Sequence, residues 1–246
     1  MFTLFLREIN NFFNNLIGYI SIAVFLVINS LFLWVFPVNT NILQSGYANI
    51  DGLFTMGPFV FLFLIPAITM RFFADEKKSG TIEILLTKPL TDLQIVLAKY
   101  FAAFVLVLFS LLPTLIYVVS VYRFGLPVGN MDMGATWGSY LGLLFLGAGF
   151  VAIGLFASSL TDNQIVSFII SIFLCGFAYI GFEFIYSLDL FGNFDLFIRN
   201  LGIYAHYTSI SRGVIDSRDV LYFLSITALF LLLTKIKLES RKWERA

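Results

Sequence analysis

Between two long hydrophobic runs lies Thr69 to Lys99, TMRFFADEKKSGTIEILLTKPLTDLQIVLAK, which gathers Asp75, Glu76, Glu83 and Asp92 with the cations Arg71, Lys77, Lys78, Lys88 and Lys99. A stretch so charged cannot cross lipid. It forms a loop on one face of a membrane, and its cations place that face in the cytoplasm by the positive-inside rule. Within it, Thr81 to Thr87 predicts a short helix with Ile82, Leu85 and Leu86 on one side, entered after Gly80 and stopped before Pro89. Thr91 is a plausible cap for a second amphipathic piece that runs through Leu93, Ile95 and Val96 into the next hydrophobic run. An apolar stripe beside a charge cluster needs something to cover it. Either a soluble partner or the lipid surface can do so.

Other chemistry is hard to assemble from these residues. There is no GxxxxGK[ST] phosphate loop, no Cys and His grouping at metal-ligand spacing, and no GxSxG nucleophile elbow. The expectation is a protein that is not an enzyme, with no catalytic residue, cofactor or metal. The single histidine, His206, sits beside Tyr204 and Tyr207 in a polar stretch and reads as a surface or interfacial residue; the single cysteine, Cys175, reads as a small core residue. Glu183 is the one carboxylate inside a hydrophobic run. At about 1.5 Å per residue it lies roughly 28 Å from Gln164, near the far interface, where a wetted structural role is expected. Asn29, deeper in the first run, is expected to bond across helices.

Composition sets the surroundings of that segment. The 246 residues are 59% hydrophobic and 12% charged, with mean hydropathy +0.92, against roughly a quarter charged in soluble domains. At roughly 20 residues per crossing, about six spans fit and a separate catalytic domain does not. The spans fall at about 16–36, 53–73, 100–122, 137–159, 164–186 and 219–238. Before them, residues 1–15 place Phe2, Phe5, Leu6, Ile9, Phe12 and Phe13 at helical spacing, as in a helix lying in the interface, and no cleavable signal is expected. Pro66 predicts a kink in the second span, while Gly138, Gly142, Gly147, Gly149 and Gly154 predict close helix approach in the fourth. A connection at 187–217 reads as external, its Phe191, Phe194, Phe197, Ile198 and Leu201 forming short interfacial helices. All Lys and Arg except Arg123, Arg199, Arg212 and Arg218 then fall on one side, together with both termini. The net charge of zero says nothing about partners, since charge on a membrane protein matters by side and not by sum; no nucleic-acid partner is expected.

The run PAITMRFFADEKKSGTIEILLTKPLTDLQIVLAKYFA resembles the signature of ABC type-2 permeases. The likeness extends along the chain. REINNFFNNLIGYI resembles the family's interfacial connecting helix and SRGVIDSRDVLYFLS its entry to the last span; SISRGVID and the terminal KLESRKW are most similar to the gliding-motility-associated branch. Departures are Leu16 where a proline is usual, Asp75 where Glu is common, and Ala98 where Gly often stands. The resemblance implies one all-helical membrane domain over residues 1–246 in a bacterial inner membrane, with a coupling region at 74–99. It implies that Glu76, Lys77, Lys78, Gly80, Thr81, Glu83, Leu85 and Leu86 meet a GldA-like ABC ATPase. It further implies a second membrane subunit, GldG-like or a second copy. The competing reading is a secondary transporter or channel that needs no ATPase, against which the spans hold almost no ionisable residue beyond Glu183.

Overall fold

The computed structural model describes residues 1–86, 90–190 and 192–243, without the side chains of Ile17, Ile84, Leu86, Asn193 and residues 241–243. The sequence readings that involve Lys88, Phe191, Arg245 and the Leu86 side chain therefore lie outside the described residues. Helix α1 (Phe2–Phe13) precedes the first span, α2 (Leu16–Ser30), which widens into a π-turn over Leu31–Val35. After α3 (Ile42–Ser45), the second span α4 (Asp51–Thr69) breaks at Met70 and resumes as α5 (Arg71–Lys78). Next come α6 (Thr81–Leu86) and the third span, α7 (Asp92–Leu111), carried past Pro113 by a tight turn at Leu112–Thr114 into α8 (Leu115–Phe124). The fourth span is α9 (Met133–Leu160). The fifth is α10 (Gln164–Gly176), a π-turn at Phe177–Gly181 and α11 (Phe182–Ser187). Short helices α12 (Asp195–Leu201) and α13 (Ile203–Ile210) lead to the last span, α14 (Ser217–Trp243). The described residues are thus all-helical apart from turns and connections, and six helices are long and apolar enough to cross a membrane.

Local signals explain where these helices begin. Thr91 and Gln94 form a reciprocal capping box at the start of α7, Asp132 Oδ1 accepts from Ala135 N at 2.9 Å at α9, and Asn163 Oδ1 accepts from Ile165 N at 2.9 Å at α10. The third span therefore starts at Asp92, well before the apolar run that the sequence marks at Tyr100.

Helix α9 is the centre of the bundle, packed on α4, α5, α7, α10, α13 and α14. Its glycines are spent on different neighbours. A Cβ added to Gly138 would lie 2.7 Å from Gly213 Cα, one on Gly147 3.1 Å from Val107, and one on Gly154 2.9 Å from Thr69 Cβ. Without a strong hydrophobic force between helices in lipid, such close contact is what holds a bundle together. The central helix is 72% buried over its most apolar stretch, whereas the first and fifth spans are 22% buried and present their sides to the surroundings.

Two expectations change in detail. The charged segment is not a loop where it follows the second span, because α5 continues the helix to Lys78. In the connection before the last span, α12 exposes Leu196, Phe197 and Leu201, as an interfacial helix should, but α13 seats itself in the bundle. Its Ile203 and Ile210 are fully buried and Tyr207 Oη donates to Phe54 O at 2.6 Å.

Candidate functional site at the charged junction

The break at Met70 is mended from outside its own helix. Pro66 lies one turn before it, and Phe73 N, among the amides at the start of α5 that the helix itself cannot satisfy, donates to Ser158 Oγ of α9 at 3.1 Å, with Ala74 N reaching the same oxygen at 3.2 Å. The same hydroxyl donates to Met70 O at 3.0 Å. Helix α5 is held from two further directions, by Lys77 Nζ on Ser159 O and by Gln164 Nε2 on Asp75 Oδ1. One short charged helix is thereby tied to the fourth and fifth spans.

Its remaining carboxylate ties it to the other side. Lys99, two turns into α7, is fully buried, with Nζ donating to Phe72 O at 2.7 Å and Glu8 Oε1 at 3.0 Å, and lying 3.0 Å from Glu76 Oε2. The last is a contact of charges without hydrogen-bond alignment, since Glu76 Oε2 has no directed donor. Arg7 Nη2 then bridges Glu8 Oε1 at 2.6 Å and Glu76 Oε1 at 2.5 Å. Arg7, Glu8, Lys99 and Glu76 form a closed ring of alternating sign and zero net charge, and the Lys99 ammonium also sits 5.1 Å over the Phe73 ring. Taking these groups from water is costly and only mutual pairing offsets it, so α1, α5 and α7 are coupled wherever any one of them moves.

The sequence-derived contact residues divide on this geometry. Glu76 and Lys77, expected among the docking charges, are engaged inside the chain by Arg7 and Lys99 and by Ser159 O. Ile82 and Leu85, 4% exposed each, turn the apolar side of α6 into this chain's own core, so that stripe is not free for a partner. What faces outward is Lys78, Ser79, Gly80, Thr81 and Glu83. Gly80 makes the turn between α5 and α6 at φ 71°, a left-handed conformation with open space around its Cα, and Ser79 Oγ lies 2.9 Å from Thr81 Oγ1 across that turn. Glu8 is likewise turned inward against α7, where it meets Lys99.

At the opposite end, Glu183 pairs with Arg199 at 3.2 Å, and that guanidinium lies 5.1 Å over the Tyr186 ring. His206 is not a loose surface residue. Its Nδ1 is 2.7 Å from Asp219 Oδ1, its Nε2 is 2.9 Å from Asn200 O, and its ring stacks on Tyr222 at 3.8 Å, joining α12, α13 and α14. Nothing in the local spacing pairs His206 with Asp219, because the chain folds back through a turn between them.

The sequence profile of the ABC-2 family transporter proteins matches residues 35–236 of this chain, from the end of the first span into the last. The chain belongs to the ABC-2 transporter family. No curated protein matches it. As an ABC-2 protein it is a multi-pass membrane component of an ABC transporter, a permease and not itself the source of catalysis, and the family implies an ATPase partner. Arg7 and Glu8, half of the charged ring, lie ahead of the matched residues.

Proposed function

We propose that this permease is driven by a separate ABC ATPase docked beneath the turn from α5 to α6, and that α5 is the lever through which nucleotide-dependent motion reaches the spans. The observation that carries this reading is the clamping of α5: Glu76 to α1 and α7, Ser158 and Ser159 to α9, Gln164 to α10. A push on its exposed end at Lys78 to Thr81 has no slack to dissipate in. In this reading the α5 end is cytoplasmic, the membrane is a bacterial inner membrane, and both termini lie inside. The docking surface is the outward set Lys78, Gly80, Thr81 and Glu83, with Leu85 holding α6 in place from behind. The likeness to the gliding-motility-associated permease GldF supports a GldA-like ATPase and a second membrane subunit, GldG-like or another copy, with either export or force transmission as the output.

The test uses the intact complex. Lys78→Glu with Glu83→Lys inverts the outward charges without touching buried groups, and is expected to reduce recovery of the ATPase with the tagged permease while the melting temperature of the permease stays unchanged. Full recovery of ATPase, with its activity still dependent on the permease, would rule out this docking surface.

A further inference from the structure

A cavity of about 490 Å³ opens at the α5 end between α1 and the helices α4 and α5. Its polar lining carries both signs of charge. Arg7 and Arg71 face it together with Glu8, Asp75 and Glu76, and the amides of Asn11 on α1 and of Asn14 at its C-terminal cap join them. The charged ring accounts for Arg7, Glu8 and Glu76. Arg71 and Asp75 are different: among the described residues neither has an ion-pair partner, although they stand one turn apart on α5. Arg71 Nε is buried with no hydrogen-bond partner, and Asp75 takes a side-chain hydrogen bond only from the neutral Gln164 amide. A guanidinium donor left buried and unsatisfied has a cost that a bound acceptor would remove. The same cavity is lined by Phe12, Ile68 and Phe72, so its polar groups adjoin apolar ones at the level where an interfacial helix meets a span.

We propose that this cavity binds a zwitterionic aminophospholipid, with the phosphate on Arg71 and the α1 amides, the primary ammonium on Asp75, and an acyl chain along Phe12 and Ile68. An anionic lipid satisfies Arg71 and is repelled by Asp75. A neutral, phosphate-free lipid leaves Arg71 as it is. A lipid whose phosphate and primary ammonium are joined by a two-carbon linker answers both unpaired groups, and the apolar lining separates it from a free headgroup compound, which would leave Phe12 and Ile68 uncovered.

Native mass spectrometry of the permease released from nanodiscs of equal phosphatidylethanolamine and phosphatidylglycerol reads this directly. Wild type is expected to retain phosphatidylethanolamine preferentially. Arg71→Gln and Asp75→Asn should each reduce that retention by about tenfold, the equivalent of one charge-assisted contact, while Arg71→Lys keeps most of it. Arg71→Lys also guards against a variant that simply fails to fold. Soluble glycerophosphoethanolamine at equal concentration should not displace the lipid. Equal retention by wild type and both charge-removing variants, a preference for phosphatidylglycerol, or ready displacement by the chain-free headgroup would each overturn the proposal.

Discussion

Replacing Lys99 by Met tests the charged ring at its buried member. Met fills nearly the same space and keeps the contact with Phe72 and Phe73, so the change is almost wholly one of charge. It leaves Glu8 and Glu76, both largely buried, sharing the single guanidinium of Arg7, which is itself 43% exposed and less able to compensate them. Phe72 O loses its donor as well. Breaking a buried ion pair by deleting one partner costs about 3 to 5 kcal/mol, and the remaining Arg7 contacts place this case near the lower end, at about 3 kcal/mol. At roughly 2 to 4 °C per kcal/mol for a chain of this size, the midpoint of thermal unfolding should fall by roughly 6 to 12 °C. The double variant Lys99→Met with Glu76→Gln restores charge balance, and it should recover a large part of that loss, giving a coupling energy of about 1 kcal/mol or more in the cycle. In the assembled transporter the single variant should also uncouple ATP hydrolysis from transport, because α5 loses its hold on α7. An unchanged melting midpoint for Lys99→Met, or an equal loss in single and double variants, would refute the idea that the ring behaves as one unit.

Ser158→Ala should cost about 1 to 3 kcal/mol by leaving the buried amide of Phe73 without its acceptor and taking the Ser158 hydroxyl from Ala74 N and Met70 O, measured as reduced thermal stability and faster amide exchange confined to the start of α5. Gly154→Ala should destabilise by about 1 to 3 kcal/mol because the new methyl meets Thr69, whereas Gly176→Ala, which has open space around it, should be neutral or stabilising by up to about 1 kcal/mol; equal effects at the two sites would remove the packing argument. Leu85→Asp should lower the stability of the permease itself and not act only on ATPase recovery, as limited proteolysis near α6 would register. Glu183→Gln should leave transport intact and cost less than about 1 kcal/mol, since its pair with Arg199 is part-exposed; loss of transport by protein assembled at normal levels would make Glu183 functional.

Much of the architecture is legible in residue patterns because lipid constrains it so strongly. A backbone with no water to bond must satisfy itself within the helix, so long apolar runs such as Leu16 to Phe36 and Trp137 to Ser159 can be little else. The glycines of α9 are legible for a related reason, since small residues in a span have few uses besides close approach. Boundaries are less so. Hydropathy stops the second span at Phe73 and starts the third at Tyr100 because Asp75, Glu76 and Lys99 look like water-exposed charges, yet each has its partners supplied by other elements. Seating α13 within the bundle was also hidden, for its Tyr207 to Phe54 contact joins residues far apart in the chain and leaves no periodic trace.

The charged junction shows the same asymmetry at the level of single side chains. The spacing of Ile82 and Leu85 correctly marks one face of α6 as apolar, but periodicity says only that a face is covered, not by what, and here the cover is the chain's own core. Charge count told even less about direction. Glu76, Lys77 and Lys78 are consecutive, and a helix spreads consecutive residues about 100° apart, so one turn can send Glu76 to α1 and α7, Lys77 to α9 and Lys78 to the outside. Which one goes where depends on Arg7 and Glu8 arriving from the N-terminal helix and Lys99 from the third span, residues that look unremarkable in their own segments. The ring is therefore a property of the assembled fold. Its zero net charge explains why it can sit beneath the bundle, and its reach across three helices would let the docking surface proposed at the Gly80 turn act on most of the spans at once.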